Sequence, residues 1–220
     1  MPENQITITR GTARRAPTVE KRVTVIKNVV FDVGRVLIDY SYDTFFALLR
    51  NNGAQIVDEQ DFVRQVDLIE YEHGRMSAGE FLRRVNALLN DPMPEQDLRV
   101  AWNDLFTPIP EMLFFAGQLK SRCRVYLFSN TSDLHWAHLQ QTYALNAICH
   151  GLAASCELGA MKPAPEAYRE MERRFGLLPQ ETLFIDDKEE NVAGALACGW
   201  QGIWHRDVLT TKTRIDDLCG

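Results

Sequence analysis

Three short apolar runs in this chain each end in polar side chains. The runs and the polar residues that follow them are Val29–Phe31 with Asp32, Val125–Phe128 with Ser129, and Leu183–Ile185 with Asp186 and Asp187. Continuous apolar runs of this length are typical of parallel strands covered on both faces of a sheet. Ligands bind beyond the carboxyl ends of such strands, so we expect these polar residues to meet in one crevice.

The long stretch between the first and second apolar runs carries helical periodicity and no strand signal. Its apolar residues recur at the spacing of one helix face, which predicts four helices. Gly53 and Gly74 should end the first two, and Ser77 with Glu80 forms a capping-box signature before the third. The apolar positions of the four helices are Phe45, Phe46, Leu48 and Leu49; Phe62, Val66 and Ile69; Phe81, Val85, Leu88 and Leu89; and Leu98, Trp102 and Leu105.

Beyond Pro110 the helical and strand patterns alternate. One helix is marked by Tyr168 and Met171 and should stop at Gly176, and the next is marked by Val192 and should stop at Gly199. Alternating units of this kind give a parallel sheet with crossover helices. The sequence therefore predicts the α/β fold class.

The polar clusters stand in four ordered motifs: FDVGRVL at Asp32, SNT at Ser129, GAMKP at Lys162, and DDKEEN at Asp186. In these motifs the chain resembles the haloacid dehalogenase-like hydrolases, most of which are phosphatases with an aspartate nucleophile. The resemblance spans roughly residues 25–204 and is nearest to a branch with FDxGxV that includes sugar-1-phosphate phosphatases.

This resemblance implies a domain organisation. We expect a Rossmann-like parallel sheet core, with an inserted helical cap that covers the active site. The core would comprise residues 25–40 and 109–220, and the cap residues 41–108. Residues 1–24 are polar and mildly basic, without the apolar segment of a signal peptide, and we interpret them as a flexible tail.

The resemblance also implies roles for the motif residues. Asp32 matches the nucleophile, and a carboxylate is suited to that role because it needs no activating base. Ser129 and the backbone around Asn130 would bind a phosphoryl oxygen. Lys162 would offset the charge on the nucleophile and on the transferring group.

A magnesium ion is the cofactor that the resemblance implies. Its ligands would be Asp32, the backbone carbonyl of Gly34, and Asp187, with water and substrate phosphate completing the set. Asp186 and Asn191 would hold these ligands in place without touching the ion.

Gly34 departs from the family pattern, since most family phosphatases carry an Asp there that protonates the leaving oxygen and later activates water. Glycine can supply a metal-binding carbonyl but no proton, and a positioned acid–base group typically contributes about 10²–10⁴-fold in rate. The enzyme would then favour leaving groups that need little protonation, such as an anomeric or acyl oxygen. Asp39 and His135 are the candidates for a replacement acid–base group; otherwise Asp39 is a turn carboxylate and His135 a packing residue.

Composition limits the partners. The formal net charge of −6 gives no reason to expect nucleic acid or an anionic membrane as a partner. No apolar stretch is long enough to cross a bilayer. The five cysteines show no CxxC spacing and four lie near apolar stretches, which favours a reducing, cytoplasmic compartment.

The sequence thus predicts a cytoplasmic Mg²⁺-dependent phosphatase, monomeric or homodimeric, acting on a small phosphorylated metabolite such as a sugar phosphate. A 2-haloacid dehalogenase is one alternative, although dehalogenases of this family lack the acidic pair of the fourth motif. A phosphomutase is disfavoured because it depends on the Asp missing at Gly34. The remaining alternative is a catalytically silent protein that only binds phosphate.

Overall fold

The computed structural model describes residues 25–219, in which a parallel sheet is flanked by helices. The predicted tail of residues 1–24 lies outside the described residues. The strands are β1 (Asn28–Phe31), β2 (Ile38–Tyr40), β3 (Phe106–Pro108), β4 (Arg124–Ser129), β5 (Gly151–Ala154), β6 (Thr182–Asp186) and β7 (Gln201–Trp204). The helices are α1 (Asp43–Asn51), α2 (Glu59–Val66), α3 (Leu68–Glu72), α4 (Ala78–Asn86), α5 (Glu95–Asn103), α6 (Pro110–Leu119), α7 (Asp133–Thr142), α8 (Leu145–Ile148), α9 (Ser155–Leu158), α10 (Pro165–Phe175), α11 (Glu189–Ala197) and α12 (Val208–Cys219).

The main sheet has the strand order β5-β4-β1-β6-β7, with every neighbouring pair parallel. Strand β1 lies between β4 and β6, so the carboxyl ends of the three strands that precede the polar clusters are adjacent. This order brings Asp32 between Ser129 and Asp186. The predicted α/β class with a parallel sheet is confirmed.

Side chains of the sheet point alternately into two apolar layers, because successive residues of a strand face opposite sides. Val29 and Phe31 pack in one core with residues of α6 and α12, whereas Val30 packs in the other with residues of α10 and α11. Both faces of β1 are therefore dry, and all four of its residues are buried.

Residues 43–103, which we call the helical unit, contain α1–α5 and have a core of their own. Phe45, Phe62, Phe81 and Trp102 are among its fully buried side chains. The Ser77 half of the predicted capping box is present at the start of α4, since the Ser77 side chain accepts a hydrogen bond from the backbone N–H of Glu80 at 3.2 Å. The Glu80 carboxylate pairs with Arg83 and Arg84 instead of reaching back to Ser77. The helical unit is thus stabilised largely by its own apolar contacts.

Two predictions about this region were wrong. The single helix expected to end near Gly74 is divided into α2 and α3 at Asp67, which has a left-handed backbone with φ of 57°. The stretch also contains strand structure, because β2 and β3 pair as an antiparallel ribbon. These strands are three residues long, too short for a strand signal to be recognised in the sequence. The chain enters and leaves the helical unit through this ribbon.

None of the helices described within residues 25–219 is both long and apolar enough to cross a membrane.

Candidate active site

Lys162 is a buried cation at the carboxyl end of the sheet. Its side chain is only 1% exposed, and its Nζ donates hydrogen bonds to Asp32 Oδ1 at 2.8 Å, Asp186 Oδ2 at 2.8 Å and the Phe128 carbonyl at 2.9 Å. The three protons of the ammonium group are thus all used by the protein. Burial lowers the pKa of Lys162, but the two carboxylates more than offset this, and the net shift is upward.

Asp32 directly follows β1 and is nearly buried. Its Oδ1 is held by Lys162, whereas its Oδ2 accepts no hydrogen bond from any residue of the described chain. Burial raises the pKa of Asp32 to about 7, with Lys162 opposing the rise and Asp186 adding to it. One oxygen is therefore fixed and the other is left to react or to bind a cation.

The neighbouring carboxylates Asp186 and Asp187 have different environments. Asp186 is fully buried, and its oxygens accept from Lys162 Nζ, from Asn191 Nδ2 at 2.9 Å and from the backbone N–H of Lys188 at 2.9 Å. The Asp187 carboxylate lines the pocket and accepts no hydrogen bond from a described residue. Burial, and secondly the negative charge of Asp186, raise the pKa of Asp187. Asp186 and Asn191 thus brace the site, and Asp187 faces the pocket.

The acidic groups fit a divalent cation. Ligand oxygens of Asp32, Asp186 and Asp187 all lie within 4.8 Å of one another. When ionised, the three carboxylates outweigh the single charge of Lys162 by two negative charges, the charge that Mg²⁺ would balance. The Gly34 carbonyl also lines the pocket and accepts no hydrogen bond from the described residues. Hard oxygen donors of this kind are suited to magnesium.

Ser129 and Asn130 line the same pocket, which has about 670 Å³ of free space including its open mouth. Ser129 ends β4 and is buried. The Asn130 side chain is occupied elsewhere: Nδ2 donates to the Lys162 carbonyl at 2.8 Å, and Oδ1 accepts from the Lys162 N–H at 3.0 Å. The backbone N–H of Asn130 donates to no described acceptor. Asn130 therefore positions Lys162 with its side chain and keeps its amide free for a ligand.

Residues 26–199 match the haloacid dehalogenase-like hydrolase family. The chain belongs to this family. It is therefore a hydrolase of this family.

Its relatives in the family include phosphatases of small metabolites. The D-ribitol-5-phosphate phosphatase of Bacteroides thetaiotaomicron is 32% identical over 177 residues, which cover 76% of this chain and 86% of that protein. The glyceraldehyde 3-phosphate phosphatase of Methanopyrus kandleri is 26% identical, with 80% and 82% covered. A haloacid dehalogenase family enzyme of B. thetaiotaomicron, solved in complex with magnesium and inorganic phosphate, is 26% identical and aligns with a TM-score of 0.75, with 82% and 94% covered.

Tyr40 occupies the space beside Gly34, where most phosphatases of the family carry their acid–base Asp. A Cβ built on Gly34 would lie 3.2 Å from Tyr40 Cε1. The Arg35 guanidinium lies 5.0 Å from the centre of the Tyr40 ring, and burial raises the pKa of Tyr40 to about 12. Tyr40 thus fills the vacant position with a group that holds its proton at neutral pH.

Asp39, one of the two expected acid–base candidates, is not in the active-site pocket. Alternation along β2 points Ile38 and Tyr40 into the pocket and Asp39 away from it. The exposed Asp39 carboxylate instead accepts the backbone N–H of Tyr40 at 2.8 Å. That prediction was wrong because the short β2 strand, and with it the facing of residue 39, was not recognised.

His135, the other candidate, lines the pocket but is committed to packing. Its Nε2–H donates to the Trp102 carbonyl at 2.8 Å, and its ring stacks on Trp102 with centroids 4.2 Å apart. Burial lowers the pKa of His135 to about 3, so the ring is neutral at physiological pH. A neutral ring whose proton is donated to a carbonyl does not protonate a leaving oxygen. The contacts of His135 with Trp102 instead connect α7 to the helical unit.

Further residues that sequence reasoning did not place in the site also line the pocket, among them Tyr42 and Lys188. Tyr42 follows the ribbon and Lys188 caps α11. Glu72, at the end of α3, lines it as well, although from the sequence it was as likely to be a solvated helix end as a site residue. Trp102, an apolar position of the fourth predicted helix, is fully buried in the core of the helical unit.

Proposed function

We propose that this chain is a Mg²⁺-dependent phosphatase that hydrolyses a small phosphorylated sugar or polyol through an aspartyl-phosphate intermediate. The observation that carries the proposal is the asymmetric environment of Asp32. Lys162 holds one oxygen of this carboxylate, and the other oxygen is free in a pocket shared with Ser129 and Asp187.

The free oxygen of Asp32 would attack phosphorus. An O–P bond then forms to Asp32 while the ester P–O bond breaks, and the alcohol leaves with a proton. Water next attacks the phosphorus of the aspartyl phosphate, so that inorganic phosphate departs and the Asp32 carboxylate is regenerated. The Ser129 hydroxyl and the backbone N–H of Asn130 are the donors placed to bind phosphoryl oxygens throughout.

Asp32, the Gly34 carbonyl and Asp187 would hold the magnesium ion, which neutralises charge on the phosphoryl oxygens as a Lewis acid. Lys162 keeps the third carboxylate, Asp186, from competing for the ion by hydrogen-bonding its Oδ2. The protein's own contribution is therefore to present two carboxylates to the ion and to reserve the third for Lys162.

The helical unit would act as the cap of this enzyme, within the insert of residues 41–108 between core segments 25–40 and 109–220. Tyr42 and Glu72 reach the pocket from this side and would contact the organic part of the substrate. A closed cap excludes bulk water from the reacting phosphate. The substrate class is supported by two of the phosphatase relatives, whose names specify the phosphate of a polyol and the phosphate of a triose.

A reducing compartment such as the cytoplasm suits the five cysteines, all of which carry free thiols. The dehalogenase alternative is disfavoured by Asp186 and Asp187, since two carboxylates beside the nucleophile repel a halocarboxylate substrate. The acidic pair favours a site that works with a cation.

The test is phosphate release from D-ribitol 5-phosphate, sugar phosphates and p-nitrophenyl phosphate, with and without Mg²⁺. We expect Mg²⁺-dependent turnover that Asp32→Asn abolishes, with the fold of the variant checked by thermal melting. Asp39→Asn, outside the pocket, is the matched control and should retain activity. A folded protein that binds Mg²⁺ and turns over none of these esters would instead support the silent phosphate-binding alternative.

A further inference from the structure

The proposed reaction includes two proton transfers for which the residues described above supply no acid or base. The leaving alkoxide must gain a proton and the attacking water must lose one. Gly34 has no side chain, Asp39 points away, and the neutral His135 ring donates its proton to a carbonyl. Asp32 and Asp187 are assigned to attack and to the cation.

Glu72 is an unpaired carboxyl group in the pocket to which the proposed reaction assigns no role. It is half-buried at the end of α3 and lines the pocket together with Asp32 and Ser129. Its side chain makes no hydrogen bond or ion pair with any residue described in the structure. By contrast Glu70, two residues earlier on the same helix, has a side chain that is 40% exposed and is paired with Arg75.

The position of Glu72 is fixed by contacts with the first residues of α7 and α9, which lie close to the end of β4. The Ser155 hydroxyl donates to the Glu72 carbonyl at 2.6 Å and accepts the Thr131 N–H at 3.0 Å. The preceding residue, Tyr71, donates its hydroxyl proton to Asp133. Glu72 is therefore held at a defined place relative to the phosphate-binding end of β4.

A close backbone approach just beyond Glu72 reinforces this position. Gly74 has φ of 74°, and a Cβ built on it would lie 2.2 Å from the Cys156 carbonyl oxygen. No side chain fits there, so the end of α3 lies directly against α9. Contacts on both sides of Glu72 thus limit how far its carboxyl group can move from the pocket.

We propose that Glu72 is the acid–base residue of this enzyme, taking the role that Gly34 cannot perform. The inference rests on the phosphatase function proposed above. In the first step the Glu72 carboxylic acid gives its proton to the leaving oxygen as the ester P–O bond breaks. In the second step the Glu72 carboxylate takes a proton from the water that attacks the aspartyl phosphate, which restores the acid.

The environment of the Glu72 carboxyl group favours an acid–base role. Burial raises the pKa of Glu72 to about 7, with Lys188 opposing the rise and Glu59 adding to it. A carboxyl group with such a pKa is populated in both protonation states near neutral pH, which suits a group that must act first as acid and then as base. Tyr40, whose pKa is about 12, is poorly matched to this task.

The test compares Glu72→Gln with wild type on esters of different leaving-group acidity. A p-nitrophenolate leaves without protonation, so Glu72→Gln should still release one equivalent of it in a fast burst. Steady-state turnover should then fall, because water attack lacks its base. On D-ribitol 5-phosphate, an alkyl ester, the variant should show no burst, and kcat should fall by about 10²–10⁴-fold.

Glu70→Gln is the matched control, since Glu70 is on the same helix but faces solvent, and it should behave as wild type. Equal losses on aryl and alkyl esters, without a burst, would make Glu72 a binding residue and overturn the inference. Wild-type kinetics for Glu72→Gln, with Asp32→Asn inactive, would overturn it while leaving the phosphatase function intact. Absence of turnover by wild type would overturn both.

Discussion

The ring of Tyr40 lies against Gly34, with Cε1 3.2 Å from the position that a Cβ on residue 34 would take. Glycine here is therefore part of a packed contact and not a simple vacancy. An Asp at residue 34 would require the ring to move. The loss of the usual side chain at residue 34 and the presence of an aromatic residue at position 40 are thus structurally linked.

We predict that this contact can be measured as an energetic coupling. Gly34→Ala should lower the free energy of unfolding in wild type but cost less in a Tyr40→Ala background, since the neighbour has been removed. Overpacked sites typically cost about 1–3 kcal/mol. Thermal or denaturant unfolding of the four proteins gives the coupling energy. Gly79→Ala, with no heavy atom within 4 Å of its built Cβ, is the control that should cost nothing.

Lys162→Met should be strongly destabilising, because it leaves Asp32 and Asp186 buried without their cation. Removing one member of a buried ion pair typically costs about 3–5 kcal/mol. The measurement is urea unfolding without added metal. Lys27→Met is the control: its pair with Glu181 is exposed, and such pairs contribute about 0–1 kcal/mol. Equal costs for the two variants would show that Lys162 does not hold the carboxylates together.

Mg²⁺ should raise the Tm of the wild-type protein, since a cation bound to the native state relieves the repulsion between carboxylates. Asp187→Ala should abolish this increase, and Asp39→Ala should retain it because Asp39 lies outside the pocket. Differential scanning fluorimetry over a Mg²⁺ titration provides the comparison. A normal Mg²⁺ response in Asp187→Ala would refute its assignment as a ligand.

His135 should make stability depend on pH in a defined direction. Its folded pKa of about 3 is below that of an unfolded histidine, about 6.5. Between these values the unfolded chain binds the extra proton, so stability falls as the pH decreases from about 6.5 towards 3. The contribution to the slope is up to about 1.4 kcal/mol per pH unit.

The His135→Phe variant should lose that part of the slope even if its stability at pH 7 also changes. The half-exposed His138, on the same helix, provides the control variant His138→Phe, which should keep the wild-type slope. Chemical denaturation at several pH values measures both. If His135→Phe left the dependence of stability on pH unchanged, the imidazole of His135 would have to be solvated in the native wild-type protein.

The sequence was sufficient to predict the meeting of the motif residues, because parallel strands align their carboxyl ends. Asp32, Ser129 and Asp186 follow three buried runs, and the order of the sheet makes those runs neighbours. The stops at Gly176 and Gly199 were also predictable, since both have positive φ values that favour glycine.

The sequence could not predict the features that depend on which side of a strand or helix a side chain occupies. Successive side chains of β2 point to opposite sides, so Tyr40 lines the pocket and the adjacent Asp39 faces solvent. His135 follows the second motif closely, but the side of α7 that it occupies faces Trp102. Glu72 is brought to the pocket by contacts between α3 and the start of α7, some sixty residues away in sequence, and no local sequence pattern indicates such a contact.

Both chain crossings between the helical unit and the sheet run through the paired strands β2 and β3. The helical unit is therefore joined to the sheet core through one two-stranded ribbon, and Tyr40, which lies against Gly34, is part of that ribbon. The hydrogen bonds of Tyr71 with Asp133 and of the Glu72 carbonyl with Ser155 form a second connection, between α3 and the helices α7 and α9. Any shift of the helical unit that broke these hydrogen bonds would move Glu72 away from the pocket and disturb the contact between Tyr40 and Gly34.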